Sequence, residues 1–228
     1  NFRINNIHIN IFYLFIIYFI AIFQRKYSIN TFIYSINRYN SFIYCIFYII
    51  YKNRQEKSRL LKRAQRDALT GLFNKKTTQD MIDRFLEENG KDRCNALMIM
   101  EVDYFKQVND TYGHMVGDKV LKIFGRLLAK QFREKDIVGR IGGDEFMVLI
   151  CNIKDVEIAK DRAKKLINEV RTLQIPELAG SGITISVGIA YSPDHGTTFM
   201  ELYRHADTAL YQVKRGGRDG FSVYEKAN

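Results

Sequence analysis

Residues 137–151 read Ile-Val-Gly-Arg-Ile-Gly-Gly-Asp-Glu-Phe-Met-Val-Leu-Ile-Cys. Two runs rich in β-formers flank a Gly-Gly pair, the composition of a tight hairpin between two strands. Gly142 and Gly143 can take the positive φ that a two-residue hairpin loop demands. Asp144 and Glu145 then follow at the tip, each anchored by an apolar strand. Adjacent acids on a rigid turn are badly placed for a core and well placed to hold a divalent cation. A solvated acidic turn has the same local look, so the decision rests on the rest of the chain.

Upstream, Ala96-Leu-Met-Ile-Met-Glu-Val102 is a short apolar run with the character of a buried central strand. It ends in Glu101, Val102 and Asp103, and carboxylates at the end of a buried strand are costly without a cation or a partner. Asp103, on the same strand face as Glu101, offers a second carboxylate there. Around these strands the apolar spacing predicts helices over 75–88, 116–132, 156–173 and 198–215, and a strand over 182–190. Val120, Leu121, Phe124, Leu127 and Leu128 form the inner stripe of the second helix; Leu202, Ala206, Ala209, Leu210 and Val213 form that of the last. Asn74 is a candidate N-cap for the first, and Thr70-Gly71 a candidate stop for whatever helix precedes it. The order helix, strand, helix, hairpin, helix, strand, helix, strand predicts an α+β fold: an antiparallel or mixed five-stranded sheet with surrounding helices.

The chain has 228 residues, room for one domain of ordinary size and an appendage. Eleven Lys and Arg against Glu56 alone fall in residues 1–66, so the whole formal net charge of +10 lies there and the remainder is neutral. A neutral main domain argues against a nucleic-acid partner. Cys45, Cys94 and Cys151 are too scattered for a metal pattern or a disulfide framework and suit a reducing cytosol. Residues 1–52 form a leader biased to Ile, Phe, Tyr and Asn, with apolar runs at Ile11–Phe23 and Ser41–Tyr51. Each is short of the roughly 20 residues of a spanning helix. Two readings stand: a membrane-associated segment, or a leader of alternating β-type pattern. Lys52, Arg54, Lys57, Arg59, Lys62, Arg63 and Arg66 follow directly, and a basic cluster of this kind marks a cytoplasmic flank or contacts anionic head groups. The expectation is a domain on the cytoplasmic face of the membrane. Residues 53–66 read as a basic helical linker whose Leu60, Leu61 and Ala64 make a short apolar seam.

The string Gly142-Gly-Asp-Glu-Phe146 resembles the signature of the GGDEF-domain diguanylate cyclases, and the likeness runs in order from about Asp67 to Tyr224. Asp67-Ala-Leu-Thr-Gly-Leu-Phe-Asn-Lys75 is similar to the family's opening segment, with Lys75 for the usual Arg. Asn109-Asp-Thr-Tyr-Gly-His114-Met-Val-Gly-Asp118 and Ala206-Asp-Thr-Ala-Leu-Tyr-Gln-Val-Lys214-Arg-Gly-Gly-Arg218-Asp219 continue the match, Asp219 replacing an Asn.

The resemblance implies a palm-like, ferredoxin-related fold shared with nucleotide cyclases, a catalytic domain over 67–228, and condensation of two GTP into cyclic di-GMP by a homodimer. It implies Mg²⁺, with Mn²⁺ as a substitute, on Glu101, the Val102 carbonyl, Asp144 and Glu145. Asp144 and Glu145 become the catalytic pair. GTP falls to Phe105, Lys106, Asn109, His114, Asp118, Gly143, Lys214 and Arg218. Arg133, Asp136 and Arg140 become an inhibitory product site, Arg133-x-x-Asp136 standing nine residues before the hairpin. One departure bears on activity: the family has Asp where this chain has Glu101, and Mg²⁺ demands near-octahedral geometry. The competing reading is a catalytically weak domain that acts as a receptor for GTP or cyclic di-GMP. The input signal and any preceding sensor domain are left unspecified.

Overall fold

A computed structural model describes residues 29–89 and 93–226. The chain divides into two compact units, Asn1–Leu61 and Lys62–Asn228. The first apolar run, Ile11–Phe23, lies outside the described residues. Helix α1 (Ile29–Ala64) carries the second apolar run and the basic linker in one continuous element. Its side chains from Ile43 to Tyr51 are exposed on every face, Tyr44 at 75 % and Phe47 at 67 %. That run is helical, against the β-type alternative, yet no helix among the described residues is long and apolar enough to cross a membrane. Eleven apolar residues rise about half the hydrocarbon thickness at 1.5 Å each.

The stop lies earlier than Thr70-Gly71. Asn74 Nδ2 donates to the Ala64 carbonyl at 2.7 Å, so the last turn of α1 finds its partner across the following loop. Asp67 accepts from the Thr70 N–H and hydroxyl at 2.8 and 2.7 Å, and Gly71 (φ 75°) completes the turn. Asn74 Oδ1 then accepts from Thr77 N–H at 3.0 Å, the N-cap that opens α2 (Lys75–Asn89).

Five strands, β1 (Asn95–Val102), β2 (Ile137–Arg140), β3 (Glu145–Ile150), β4 (Ile185–Ser192) and β5 (Gly220–Val223), form one sheet in the order β2-β3-β1-β4-β5. Every pairing is antiparallel except β4 with β5. The sheet is therefore mixed: β5 reaches its place from the far end of a helix and must run alongside β4. Between strands lie α3 (Phe105–Tyr112), α4 (His114–Gln131), α5 (Glu157–Arg171) and α6 (Phe199–Arg215). Alternation along β1 divides the core. Ala96, Met98, Met100 and Val102 join Phe124, Leu128, Phe146 and Ala163 on the α4–α5 side. Leu97 and Ile99 join Ile82, Leu86, Met147, Leu202 and Leu210 on the α2–α6 side.

β4 starts at Ile185 and not at 182, because the chain turns at Gly180 (φ 90°) and first donates through Ser181 N–H to the Leu178 carbonyl. The hairpin departs further from expectation. Neither Gly142 nor Gly143 has a positive φ. The loop runs over 141–144, with Ile141 and Gly142 N–H both donating to the Glu145 carbonyl at 2.9 and 3.4 Å. Gly142 lies close under Glu145: a Cβ there would fall 2.6 Å from Glu145 Oε2 and displace that carboxylate.

Candidate active site

The β1–β3 register sets Glu101 directly opposite Glu145, and Val102 N–H donates to the Asp144 carbonyl at 3.3 Å. Following Ile99 and Met147, both glutamates emerge on the α6 side of the sheet. There Lys214, near the end of α6, pairs with the Glu101 carboxylate. Burial pushes the Asp144 carboxyl up from its ordinary range, Glu101 adds to the rise, and Lys214 and Arg140 oppose it. Burial likewise raises Glu145, with Glu101, Asp144 and Asp207 adding and Lys214 opposing. Negative charge thus exceeds its local compensation, which is the electrostatic setting for a bound cation. The donors are all oxygen, as a hard divalent ion requires. Among the described residues no three such side chains converge as a ready-made cage; Glu101 is turned to Lys214. Asp103 does not join them. It is 5 % exposed and accepts from Thr184 Oγ1, Ser186 Oγ and Asp219 N–H at 2.8, 2.7 and 3.0 Å, so its charge is spent tying β1, β4 and β5 together.

Beside the carboxylates lies a basic, donor-rich corner. The Arg218 guanidinium stacks 4.6 Å from the Tyr104 ring centroid. Tyr104 is left-handed (φ 54°) and turns the chain into α3, which opens at Phe105 with no side chain capping it. The N–H groups of Phe105 and Lys106 therefore stand at the positive end of the helix, the standard setting for phosphate. Lys106 is exposed, while the Phe105 ring packs against the core.

Asn109 on α3 lies against Gly117 of α4, the residue before Asp118. Gly117 permits it: a Cβ there would fall 1.9 Å from Asn109 Oδ1. The half-buried amide thus rests over a bare backbone one residue from the exposed Asp118. His114, also exposed, is the first residue of α4.

Of the three residues expected to form an inhibitory site, two are engaged by partners inside the fold. Asp136 is buried and accepts from the N–H groups of Arg133 and Cys151 at 2.9 and 3.1 Å and from Arg162 Nη1 at 3.4 Å. Arg140 turns to Asp67, at 3.1 Å, and donates to the Gly143 carbonyl through Nε and Nη2 at 3.1 and 2.6 Å. Its guanidinium braces the hairpin loop, and the Gly143 carbonyl is engaged by it. Arg133 alone of the three is exposed. Reading the residues missed Tyr104 and Gly117. An aromatic before Phe-Lys and a glycine one turn past a histidine have no chemistry of their own; the Arg218 stack gives the first a role and the α3–α4 crossing the second.

A family profile described as the diguanylate cyclase GGDEF domain matches residues 64–220. The chain belongs to that family. It is 37 % identical over 174 residues to the probable diguanylate cyclase DgcT of Escherichia coli K12, covering 72 % of this chain and 37 % of the relative. It is 34 % identical over 196 residues to the cyclic di-GMP phosphodiesterase PdeR of the same organism, covering 86 % of this chain and 29 % of that protein. The crystal structure of the GGDEF domain of DgcB from Caulobacter crescentus, in complex with c-di-GMP, superposes with a TM-score of 0.66 at 28 % identity, covering 72 % of this chain and 94 % of that one. Its palm-like, nucleotide-cyclase-like fold is the fold of this domain. The chain spans about a third of the length of the curated relatives it matches.

Proposed function

We propose that this chain is a diguanylate cyclase that joins two GTP into cyclic di-GMP and pyrophosphate. The observation that carries the reading is the meeting, at one end of the sheet, of Glu101, Asp144 and Glu145 with Lys214, Arg218 and the uncapped start of α3. Asn109 and Asp118 supply an amide and a carboxylate for a guanine edge, the carboxylate accepting from N1–H and the exocyclic amine. Lys214, Arg218 and the Phe105 and Lys106 N–H groups take the triphosphate. In each step a 3′-oxygen bonds to the α-phosphorus of the other nucleotide, the bond from that phosphorus to its bridging oxygen breaks, and pyrophosphate leaves. Asp144, whose proton affinity is raised by burial and by Glu101, takes the hydroxyl proton. Mg²⁺ or Mn²⁺ suits Glu101, Asp144, Glu145 and the Val102 carbonyl, and when bound it polarises phosphate oxygens. The chain's share is otherwise positioning and charge neutralisation. One domain offers one nucleotide site, so the active species is a homodimer with two half-sites face to face. Feedback by product involves the exposed Arg133, with Asp136 holding its backbone. The basic residues of α1, following an apolar run, favour the cytoplasmic face of the membrane as its location.

A second reading is favoured by one contact: with Lys214 paired to Glu101, the domain can serve as a receptor for GTP or cyclic di-GMP with little turnover. Incubating the purified full chain with GTP and Mg²⁺ and following cyclic di-GMP by chromatography separates the two. Product that slows as it accumulates supports the cyclase. No product at high protein concentration, with tight binding of cyclic di-GMP, makes it a receptor.

A further inference from the structure

Arg218 and Asp219 are both left-handed, with φ of 66° and 51°. Residues with a Cβ adopt that region rarely and need surroundings that hold them in it. Gly217 (φ 113°) leads into the pair, and Arg218 N–H donates to the Val213 carbonyl at 3.0 Å as α6 ends. The pair is then clasped from α5. Arg171 Nε donates to both Asp219 carboxylate oxygens at 2.9 and 3.0 Å, and Nη2 donates to the Asp219 carbonyl at 3.0 Å. Nη1 is anchored on Asn168 Oδ1 at 3.1 Å, on the same helix. From the sheet side, Asp219 N–H donates to the buried Asp103. Asp219 is therefore fixed at its N–H, its carbonyl and its carboxylate, and Arg218 is the residue next to it.

Global stability does not explain the clasp. Its side chains are 45 % and 36 % exposed, and ion pairs that open to water contribute little to folding. What the guanidinium adds is direction: one Nε–H shared between the two carboxylate oxygens and an Nη2 bond to the main-chain carbonyl permit few orientations. The family pattern has Asn at 219, which cannot make a charged two-oxygen pair.

We infer that Arg171 is a positioning residue for the triphosphate of GTP. By clasping Asp219 it holds the left-handed turn that aims Arg218 at the phosphate end of the site. The inference rests on the nucleotide reading above but does not need turnover, so absence of cyclic di-GMP would sink the cyclase and leave this standing. Binding of GTP and of GMP to the full chain is measured by calorimetry for wild type, Arg171→Ala and Arg171→Lys, with a thermal melt for each. Arg171→Ala should weaken GTP about tenfold, leave GMP within about twofold, and barely move the melt; Lys, which keeps charge without the fork, should recover part of the loss. If Arg171→Ala does not fold, Arg171→Gln, which keeps length but loses the charged fork, carries the same expectation. Unchanged GTP affinity, or equal losses for GTP and GMP, would overturn the positioning role. A wild type that holds GMP as tightly as GTP would overturn it too, along with the role of Arg218.

Discussion

Glu101 is one methylene longer than the aspartate of the family pattern, and the extra reach ends at Lys214. Shortening it should withdraw the carboxylate from the ammonium and return Lys214 to the triphosphate. Glu101→Asp is therefore expected to lower the KM for GTP several-fold, on the order of 1 kcal/mol of binding, in steady-state assays; an unchanged KM would mean the pair opens freely. A second prediction concerns His195, far from the carboxylates. Its Nδ1 accepts from Tyr191 N–H at 3.0 Å, its ring lies 5.4 Å from that of Tyr224, and His205 donates to its carbonyl. Burial lowers its pKa below the ordinary 6.5; Asp194 opposes the shift, while His205 and Lys226 reinforce it. A depressed histidine stabilises the fold fully above the unfolded value and loses that contribution as pH falls through the folded one. Melting temperature should thus drop from pH 7 to pH 5.5 more steeply in wild type than in His195→Gln. At this scale the sequence singles out Glu101, Asp144, Glu145, Lys214 and Arg218, and the fold sets Glu101 opposite Glu145 and pairs it with Lys214. The sequence could not say which charges would neutralise one another. Arg140 and Asp136 look free in a one-dimensional string, and both are consumed by partners brought in from Asp67 and Arg162.

Two glycines separate fold from function at the level of elements. Gly188 on β4 lies under α6, and a Cβ there would meet the Ala206 carbonyl at 2.0 Å and Leu210 N at 2.4 Å. Backbone cannot step aside, so Gly188→Ala should cost about 3 kcal/mol or more in urea unfolding, or yield insoluble protein. Gly117→Ala meets the amide end of Asn109, which can swing away, and the edge of the Phe105 ring at 3.1 Å, which need give only a few tenths of an ångström. That variant should melt within a few degrees of wild type while losing about tenfold or more in GTP affinity, because the guanine-facing amide is displaced. At the start of α6, Thr198 and Glu201 form a reciprocal cap, the hydroxyl accepting from Glu201 N–H at 3.3 Å and the carboxylate from Thr198 N–H at 3.2 Å. The elements themselves were largely legible, because apolar periodicity survives in the inner stripes of α4 and α6 and in the run of β1. Element ends and strand direction were less so. The parallel course of β5 follows from where α6 lets the chain go, and the hairpin loop grew to four residues because Arg140 braces it from inside.

For the molecule as a whole, the proposed homodimer with facing half-sites predicts that turnover rises faster than in proportion to protein concentration until association is complete. A specific activity that stays flat over a hundredfold dilution would argue for a monomer or an already saturated dimer, which sedimentation would distinguish. The sheet order carries a further consequence. β1 is flanked on both sides by antiparallel partners, whereas β2 and β5 lie at the edges. Glu101 therefore rides on the strand that can be freed only by opening the whole sheet, while Arg218 hangs from a margin that can peel by itself. In deuterated water the amides of Leu97 to Met100 should be the last to take up label, and those of Gly220 to Val223 among the first of the sheet. A nucleotide bridging the two would slow the margin selectively, so the protection of one short outer strand would report whether the pocket is filled.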